Sequence, residues 1–567
     1  MTSIYEQISA ERKELQAKGE VPDWYITPGY QMFKLKYAES GQSLQERYER
    51  IAEAAGEIAV RLYGETEEGP SWTDKFFEVI WNGWLSPSTP VLANLGTERG
   101  MAVSCTGNYI EDSIYGFYDS RLESAVLTKQ GFGTSGYLGH IRPRGTAYGD
   151  NGKANGVLPV FKGFVQDMDD TSQGSTRRGA WAGYLEADHD DFDEVIDYLY
   201  NNPDGLNVGW NITDAFIERL KSGDKDTIRR YQKILKTRAV TGKGYLWFID
   251  KVNRQNPASY AEKGLSVKAS NLCSEISLHS DEDHSFSCVL SSLNLAKWDE
   301  WKNTDTVFVA TVFLDCIAQD LIDRGSKVKG MEKVVRFTEK SRALGLGVMG
   351  YHTLLQSRSI PFDSHDAQLL NKFIFSGISA AANQASIWMG EKAGSAEWAP
   401  HGRRNSHLMA VAPTMSTALL VGGVSQGIEP IVANVFNQSS AAGEMARINP
   451  TLIDIMKERG KYDQKTIDEI IDDSGSVQNV DWLTDHEKDV FKTAYEINQE
   501  AIIEQASERQ KFIDQGQSLN LFFDANESPA YISKIHKLAM LDPYIKGLYY
   551  MRSKAGIQAS KNTKKER

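Results

Sequence analysis

Apolar positions along this chain recur at two spacings, and the switches between them mark its elements. From Leu44 to Tyr63 (LQERYERIAEAAGEIAVRLY) they step by three and four between charges, which is one face of a helix. Residues 1–80 are expected to be helical, and WLSPSTP, Trp84–Pro90, ends that pattern. Residues 101–182 are rich in Gly, Ser and Thr; GFGTSGYLG and SQGSTRRGA read as flexible loops able to wrap an anion. Helical spacing returns over 210–260. Two short segments follow, NLCSEISL and SCVLSSLNL, read as extended on either side of the polar turn HSDEDHSF. Thr306–Asp323 predicts a buried helix, and 365–393 a further one. HLMAVAP followed by TMSTALL predicts strand, loop and helix start. A long charged helix is expected over Thr484–Asp514, then a strand (SLNLFF), a helix near 529–540, a short strand (GLYYMR) and a basic tail, KNTKKER.

Strands alternating with helices over most of the chain predict an α/β core with a helical N-terminal region, without internal repeat or long linker. A hydrophobic share of 41% over 567 residues is enough for a large core. The net charge of −13 argues against a general nucleic-acid or membrane-surface binder. A small anion such as a nucleotide can still bind through backbone N–H groups and a few arginines. The polar N-terminus shows no signal peptide, and no apolar run is long enough to span a membrane, so a cytoplasmic protein is expected. The four cysteines form no CxxC pair and no His/Cys cluster with zinc-ligand spacing. No metal site and no disulfide scaffold are expected.

In NLCSEI, Asn271, Cys273 and Glu275 lie at i, i+2 and i+4, which an extended backbone would put on one face. An amide can orient a substrate hydroxyl, a carboxylate can take its proton, and a thiol can act as nucleophile or radical carrier. By spacing alone, a strand with a structural cysteine fits as well. Cys316, in the apolar Thr306–Asp323 stretch, reads as a small core residue.

More segments join NLCSEI in a fixed order: PSTP at 87–90, VSCTGNYIEDS, SQGSTRRG at 172–179, SCVLSSLNL, APTMST at 412–417, GIEP at 427–430, and RQKFIDQGQSLNLF before GLYYMR. Over residues 80–555 this ordered set resembles the catalytic subunit of ribonucleotide reductase. The resemblance implies a ten-stranded α/β barrel over 96–555 with the Cys273 loop inside, a helical region over 1–95 and a short tail over 556–567. It implies that Cys273 is the thiyl-radical cysteine that takes a hydrogen atom from C3′ of the ribose. Glu275 matches the base for the 3′-hydroxyl, and Asn271 the amide that holds the hydroxyls. Cys105 and Cys288 match the pair that supplies reducing equivalents and ends as a disulfide. Tyr549 and Tyr550 match the pair that relays a radical from a separate small subunit, which favours class I over the adenosylcobalamin-dependent class.

Thr89, Ser104, Gly131, Pro413, Thr414, Ser416 and Thr417 match substrate contacts; no catalytic role falls to Met415, where some class I members carry a carboxylate. Asp112, Ser113, Ile114 and Arg142 match the site of an ATP or deoxynucleotide effector bound with Mg2+. Gln173 and Arg177 fall in the mobile loop that links effector to substrate choice. A homodimer, a ribonucleoside diphosphate substrate, a radical-generating metallocofactor in the partner, and a thioredoxin- or glutaredoxin-type reductant are implied. An adenosylcobalamin-dependent reductase and a regulatory remnant without turnover are the rival readings.

The chain departs from the family pattern twice. Cys105 comes too early for the ATP- or dATP-binding activity domain that many members carry first, as in compact forms from some phages, so feedback inhibition by dATP there is expected to be absent. The tail has no cysteine where class I members usually carry a re-reducing pair. Either the chain is truncated or split, or another reductant reaches Cys105 and Cys288 directly.

Overall fold

The computed structural model describes residues 4–150, 152–171, 179–440 and 443–554. Four helices open the chain: Ile4–Ala17, Thr27–Lys36, Leu44–Tyr63 and Trp72–Trp81. The predicted bounds of Leu44–Tyr63 hold because Ser43 and Glu46 form a reciprocal capping box at its start, and Gly64 takes the backbone out of the helix at its end.

A nine-stranded sheet follows. Its first arm is parallel: Cys105–Tyr109, Gly133–Tyr137, Trp181–Glu186, Val208–Asn211 and Tyr245–Trp247, in that order. The strand Phe286–Asn294, buried along its whole length, runs antiparallel to Cys105–Tyr109 and turns the sheet into a second arm. On its other edge it pairs in parallel with Leu344–Met349. The second arm continues through isolated parallel bridges, Leu346 to Met409 and Val411 to Gln517, and a parallel pair, Leu521–Phe523 with Met551–Ser553.

The fold class is the expected one, an α/β sheet with a helical N-terminal region, but ten regular strands are not seen among the described residues. Segment 408–411 contributes only bridges, because the Leu408 and Met409 N–H groups are spent on the Asp514 carboxylate. The long helix expected over 484–514 is broken into Asp485–Val490 and Gln499–Gln510. Between them the Thr493 N–H donates to the Glu496 carboxylate and the Ala494 N–H to the Ile431 carbonyl, and Asn498 caps the second helix.

The buried helix predicted at Thr306–Asp323 extends to Gly325 and packs against both the N-terminal helices and the sheet. One buried ionic network fixes that packing. Asp315 accepts 2.6 Å hydrogen bonds from Arg342 and Asn405, and the Tyr63 hydroxyl, from the N-terminal region, donates to the same carboxylate. With a second Arg342 bond at 2.9 Å the carboxylate accepts four hydrogen bonds from the protein, as a buried charge requires. Cys316 is fully buried in the core, as expected. Among the described residues no helix is long and apolar enough to cross a membrane.

Candidate active site

The segment expected to be extended at NLCSEI is a turn instead. The Asn271 side-chain oxygen accepts from the N–H groups of Glu275 and Ile276, at 3.0 and 3.3 Å, and Ser274 takes a left-handed backbone, φ 61°. Asn271 and Glu275 therefore meet by closing a turn, not by strand alternation: the amide donates to the Glu275 carboxylate at 2.8 Å. The same amide donates to the Cys105 sulfur at 3.2 Å. Tyr184, from the first arm, props the turn from beneath. Its hydroxyl donates to the Asn271 carbonyl at 2.7 Å and lies 2.9 Å from the Ser274 hydroxyl.

A strap over 515–518 holds the turn from the other side. The Gly516 N–H donates to the Glu275 carbonyl at 2.7 Å. The Ser518 hydroxyl lies 2.6 Å from the Cys273 carbonyl and 3.1 Å from the Glu275 carboxylate. The Gln515 side chain accepts from the Ser277 N–H at 3.1 Å and donates to the Cys288 sulfur at 3.2 Å. One strap thus fixes the thiol loop, the carboxylate and the second-arm cysteine together.

Cys105 and Cys288 are Cα partners across the antiparallel strands, and no disulfide joins any of the four cysteines. Burial pushes the Cys288 thiol well above its ordinary pKa, with the Gln515 N–H opposing. Cys288 is therefore a protonated thiol at neutral pH, suited to giving up hydrogen.

A cleft of about 700 Å³ opens over these groups. Cys105, Cys273, Glu275, Tyr549 and Tyr550 line it, together with the predicted contacts Thr89, Ser104, Pro413, Thr414, Ser416 and Thr417. Cys288 and Asn271 lie behind the lining residues, and the Asn271 amide donates to Glu275 and Cys105. Gly131 does not line the cleft; it is a turn residue, φ 106°, between the helix Ile114–Lys129 and the next strand. The Thr414 hydroxyl accepts from the Gly427 N–H at 2.8 Å, which ties the APTMST loop to GIEP. Lys36 and Lys243, which no motif had marked, and Arg552, the last residue of GLYYMR, also line the cleft and bring positive charge. Met415 lines it as an exposed apolar side chain.

The strand expected at GLYYMR is interrupted at the tyrosines. Gly547–Leu548 pairs with Tyr245–Trp247, and Met551–Ser553 with Leu521–Phe523. The Tyr549 and Tyr550 rings sit 4.1 Å apart at that crossing. A third tyrosine, which the sequence did not single out, joins them: the Tyr245 ring is 4.8 Å from that of Tyr549, and its hydroxyl donates to Tyr550 at 3.3 Å. Burial raises the Tyr549 and Tyr245 phenols well above their ordinary pKa, and Cys273 lies within electrostatic reach of both. Arg238 holds the Tyr549 carbonyl at 2.9 Å, and the Arg552 guanidinium stacks over Tyr550 at 4.4 Å.

Away from the cleft, Asp112 and Arg142 form an ion pair at 2.5 Å. Ser113 caps the helix Ile114–Lys129 through the Gly116 N–H. Ile114, Tyr115, Tyr118 and Leu122 lie exposed along that helix. Gln173 and Arg177 lie outside the described residues.

The sheet, the turn inside it and the paired thiols define the class, and comparison with known proteins agrees. Residues 27–100 match the ribonucleotide reductase all-alpha domain, and 103–230, 226–399 and 395–551 match the ribonucleotide reductase barrel domain. The chain belongs to the ribonucleotide reductase large-subunit family. It is 35% identical to the putative ribonucleoside-diphosphate reductase large subunit of Frog virus 3, over 89% of this chain and 94% of that one. It is 29% identical to the ribonucleoside-diphosphate reductase large subunit of Invertebrate iridescent virus 3, over 94% of each. The solved structure of the Actinobacillus ureae class Id ribonucleotide reductase alpha subunit superimposes with a TM-score of 0.85 at 35% identity, covering 94% of this chain and 98% of that one.

Proposed function

We infer that the chain is the catalytic subunit of a class I ribonucleoside-diphosphate reductase, converting ribonucleotides to 2′-deoxyribonucleotides by thiyl-radical chemistry. The observation that carries the reading is the single cleft that Cys273, Glu275, Cys105 and the tyrosine pair share, with Cys288 opposite Cys105.

In this reading a Cys273 thiyl takes the hydrogen atom from C3′, and Glu275 takes the 3′-hydroxyl proton. Asn271 orients the carboxylate and the Cys105 thiol. The 2′-hydroxyl leaves as water while Cys105 and Cys288 supply two electrons and two protons and become a disulfide. Cys273 then returns its hydrogen to C3′ and is a thiyl again. The sum is ribonucleotide plus two thiols giving deoxyribonucleotide, water and one disulfide. The raised phenol pKa of Tyr549 and Tyr245 keeps both protonated, so proton and electron leave together.

Thr89, Ser104, Ser416, Thr417 and the first-turn N–H groups of the helix Met415–Leu420 form the phosphate end, with Lys36 and Lys243 adding charge. The radical comes from a metallocofactor in a separate small subunit. A Mg2+-bound nucleoside triphosphate effector sits by Asp112, Ser113, Ile114 and Arg142. The exposed apolar face of Ile114–Lys129 supports a homodimer interface there. A thioredoxin- or glutaredoxin-type reductant reopens the disulfide. The test is nucleotide reduction by the pre-reduced protein with its cognate small subunit or with adenosylcobalamin. Product only with the subunit is the expected result; product with the cobalamin alone would move the chain to the other class.

A further inference from the structure

We propose that His279, Asp281 and His284 form a binding site for one divalent transition-metal ion, which clamps the turn between the Cys273 loop and the strand of Cys288. The three residues offer ligand atoms that all lie within 4.8 Å of one another. They come from one short turn, H-S-D-E-D-H. Its ends lie close to both redox elements: His279 follows Cys273 by six residues and His284 precedes Cys288 by four.

Asp281 stands between the two rings. His279 Nε2 lies 2.9 Å from Asp281 Oδ2, and His284 Nδ1 lies 2.8 Å from Asp281 Oδ1. Ligand atoms about 2.1 Å from a common ion stand that far apart when they subtend roughly 85° at it. Both His–Asp separations are therefore ones that a shared ion allows, and the third separation stays within 4.8 Å. The rings are already fixed. His279 and His284 are 4% and 9% exposed, and both pack edge-on against Trp398, at 5.6 and 4.9 Å. Rigid donors lose little freedom when an ion arrives.

Ser266 supplies the outer shell. It presents both its N–H, at 3.2 Å, and its carbonyl, at 2.8 Å, to His279 Nδ1. In one neutral tautomer Nε2–H donates to Asp281 and Nδ1 accepts from the Ser266 N–H. With an ion on Nε2 the proton moves to Nδ1 and donates to the carbonyl, the usual arrangement behind a metal-bound histidine. The Nδ1 side thus has a Ser266 partner for either tautomer, and the single ring proton stays on the ring. Asp281 is 38% exposed and leaves an entry path, and the neighbouring acidic residues Glu282 and Asp283 favour a cation. Two imidazoles with one carboxylate suit zinc, cobalt, iron or manganese in the divalent state.

The test uses the untagged, reduced full chain without its small subunit, titrated with Co2+ under visible absorption and with Zn2+ by calorimetry. The expected result is one ion per chain with a nitrogen/oxygen-ligand cobalt spectrum, and a melting temperature raised by Zn2+. His279→Gln and His284→Gln are each expected to weaken binding roughly 10–100-fold or more. Asp281→Asn keeps the size and most hydrogen bonds and covers the case in which a histidine variant does not fold; it is expected to lose the site as well. No saturable binding, binding undiminished in Asp281→Asn, or a thiolate-to-cobalt charge-transfer band that places the ion on the cysteines would each overturn the proposal.

Discussion

Cys105 and Cys288 face each other directly across two antiparallel strands, so their thiols leave the sheet on the same side. Opposed residues of such a pair have Cα atoms about 4.5–5.5 Å apart, within the range a disulfide spans. Without external reductant, the pre-reduced protein is expected to make roughly one deoxynucleotide per chain and to lose two titratable thiols. Cys105→Ser and Cys288→Ser should each bind substrate and make none. Thiol titration after a single turnover checks this, and product in either variant would remove the pair from the reaction.

Ser518 touches the thiol loop and the carboxylate at once, at 2.6 and 3.1 Å. Ser518→Ala removes a hydrogen bond to a charged group, worth about 1.5–3 kcal/mol. The expected outcome is a kcat about 10–100-fold lower with KM little changed. Ser518→Thr keeps the hydroxyl and should restore most of the rate. An equal loss in both variants would mean the strap serves folding alone.

Much of this site was legible in the sequence, and what was not has physical causes. The helices Leu44–Tyr63 and His365–Ala393 show their bounds because Ser43 and Ser364 cap their starts and Gly64 and Gly394 follow their ends. The NLCSEI turn reads falsely as a strand because the Asn271 side chain replaces a strand's hydrogen-bond partners, which periodicity does not register. The break at 491–498 is hidden for a similar reason: Thr493 and Ala494 spend their N–H groups on Glu496 and Ile431. Asn271 and Cys105 are far apart in sequence, so their contact needs the completed sheet. Tyr245 carried no signal, because its role depends on a strand contributed by the last residues described. The H-x-D-x-x-H spacing was visible, but it matches no common zinc pattern.

Tyr549 and Tyr245 differ in what their hydroxyls do. In the proposed relay Tyr549 carries the radical, so Tyr549→Phe is expected to lower turnover with the small subunit by more than about 100-fold. Tyr245→Phe keeps its ring against Tyr549 and loses one 3.3 Å donation to Tyr550. A neutral hydrogen bond of about 1 kcal/mol predicts a loss of only about 5-fold. Rates with the small subunit, at saturating substrate, distinguish the two; equal losses would make Tyr245 a full member of the relay.

Lys546 lies just before the tyrosine strand, buried, with its ammonium donating to the Asp514 carbonyl at 2.6 Å. Burial pulls its pKa down to about 7. An unfolded lysine keeps its proton to about pH 10.4. Between those values the unfolded chain binds more protons, so this group makes stability rise with pH, by at most about 1.4 kcal/mol per unit. The difference in urea midpoint between wild type and Lys546→Met should therefore shift in favour of wild type from pH 7 to pH 10. A pH-independent difference would mean that Lys546 keeps an ordinary pKa.

Thiyl chemistry at Cys273 is tested by reduction of labelled CDP by the pre-reduced protein with its cognate small subunit, ATP as effector and dithiothreitol. Wild type is expected to form deoxycytidine diphosphate and Cys273→Ser none, with nucleotide binding retained in the variant. Product formed by Cys273→Ser at the wild-type rate would contradict thiyl chemistry at this turn.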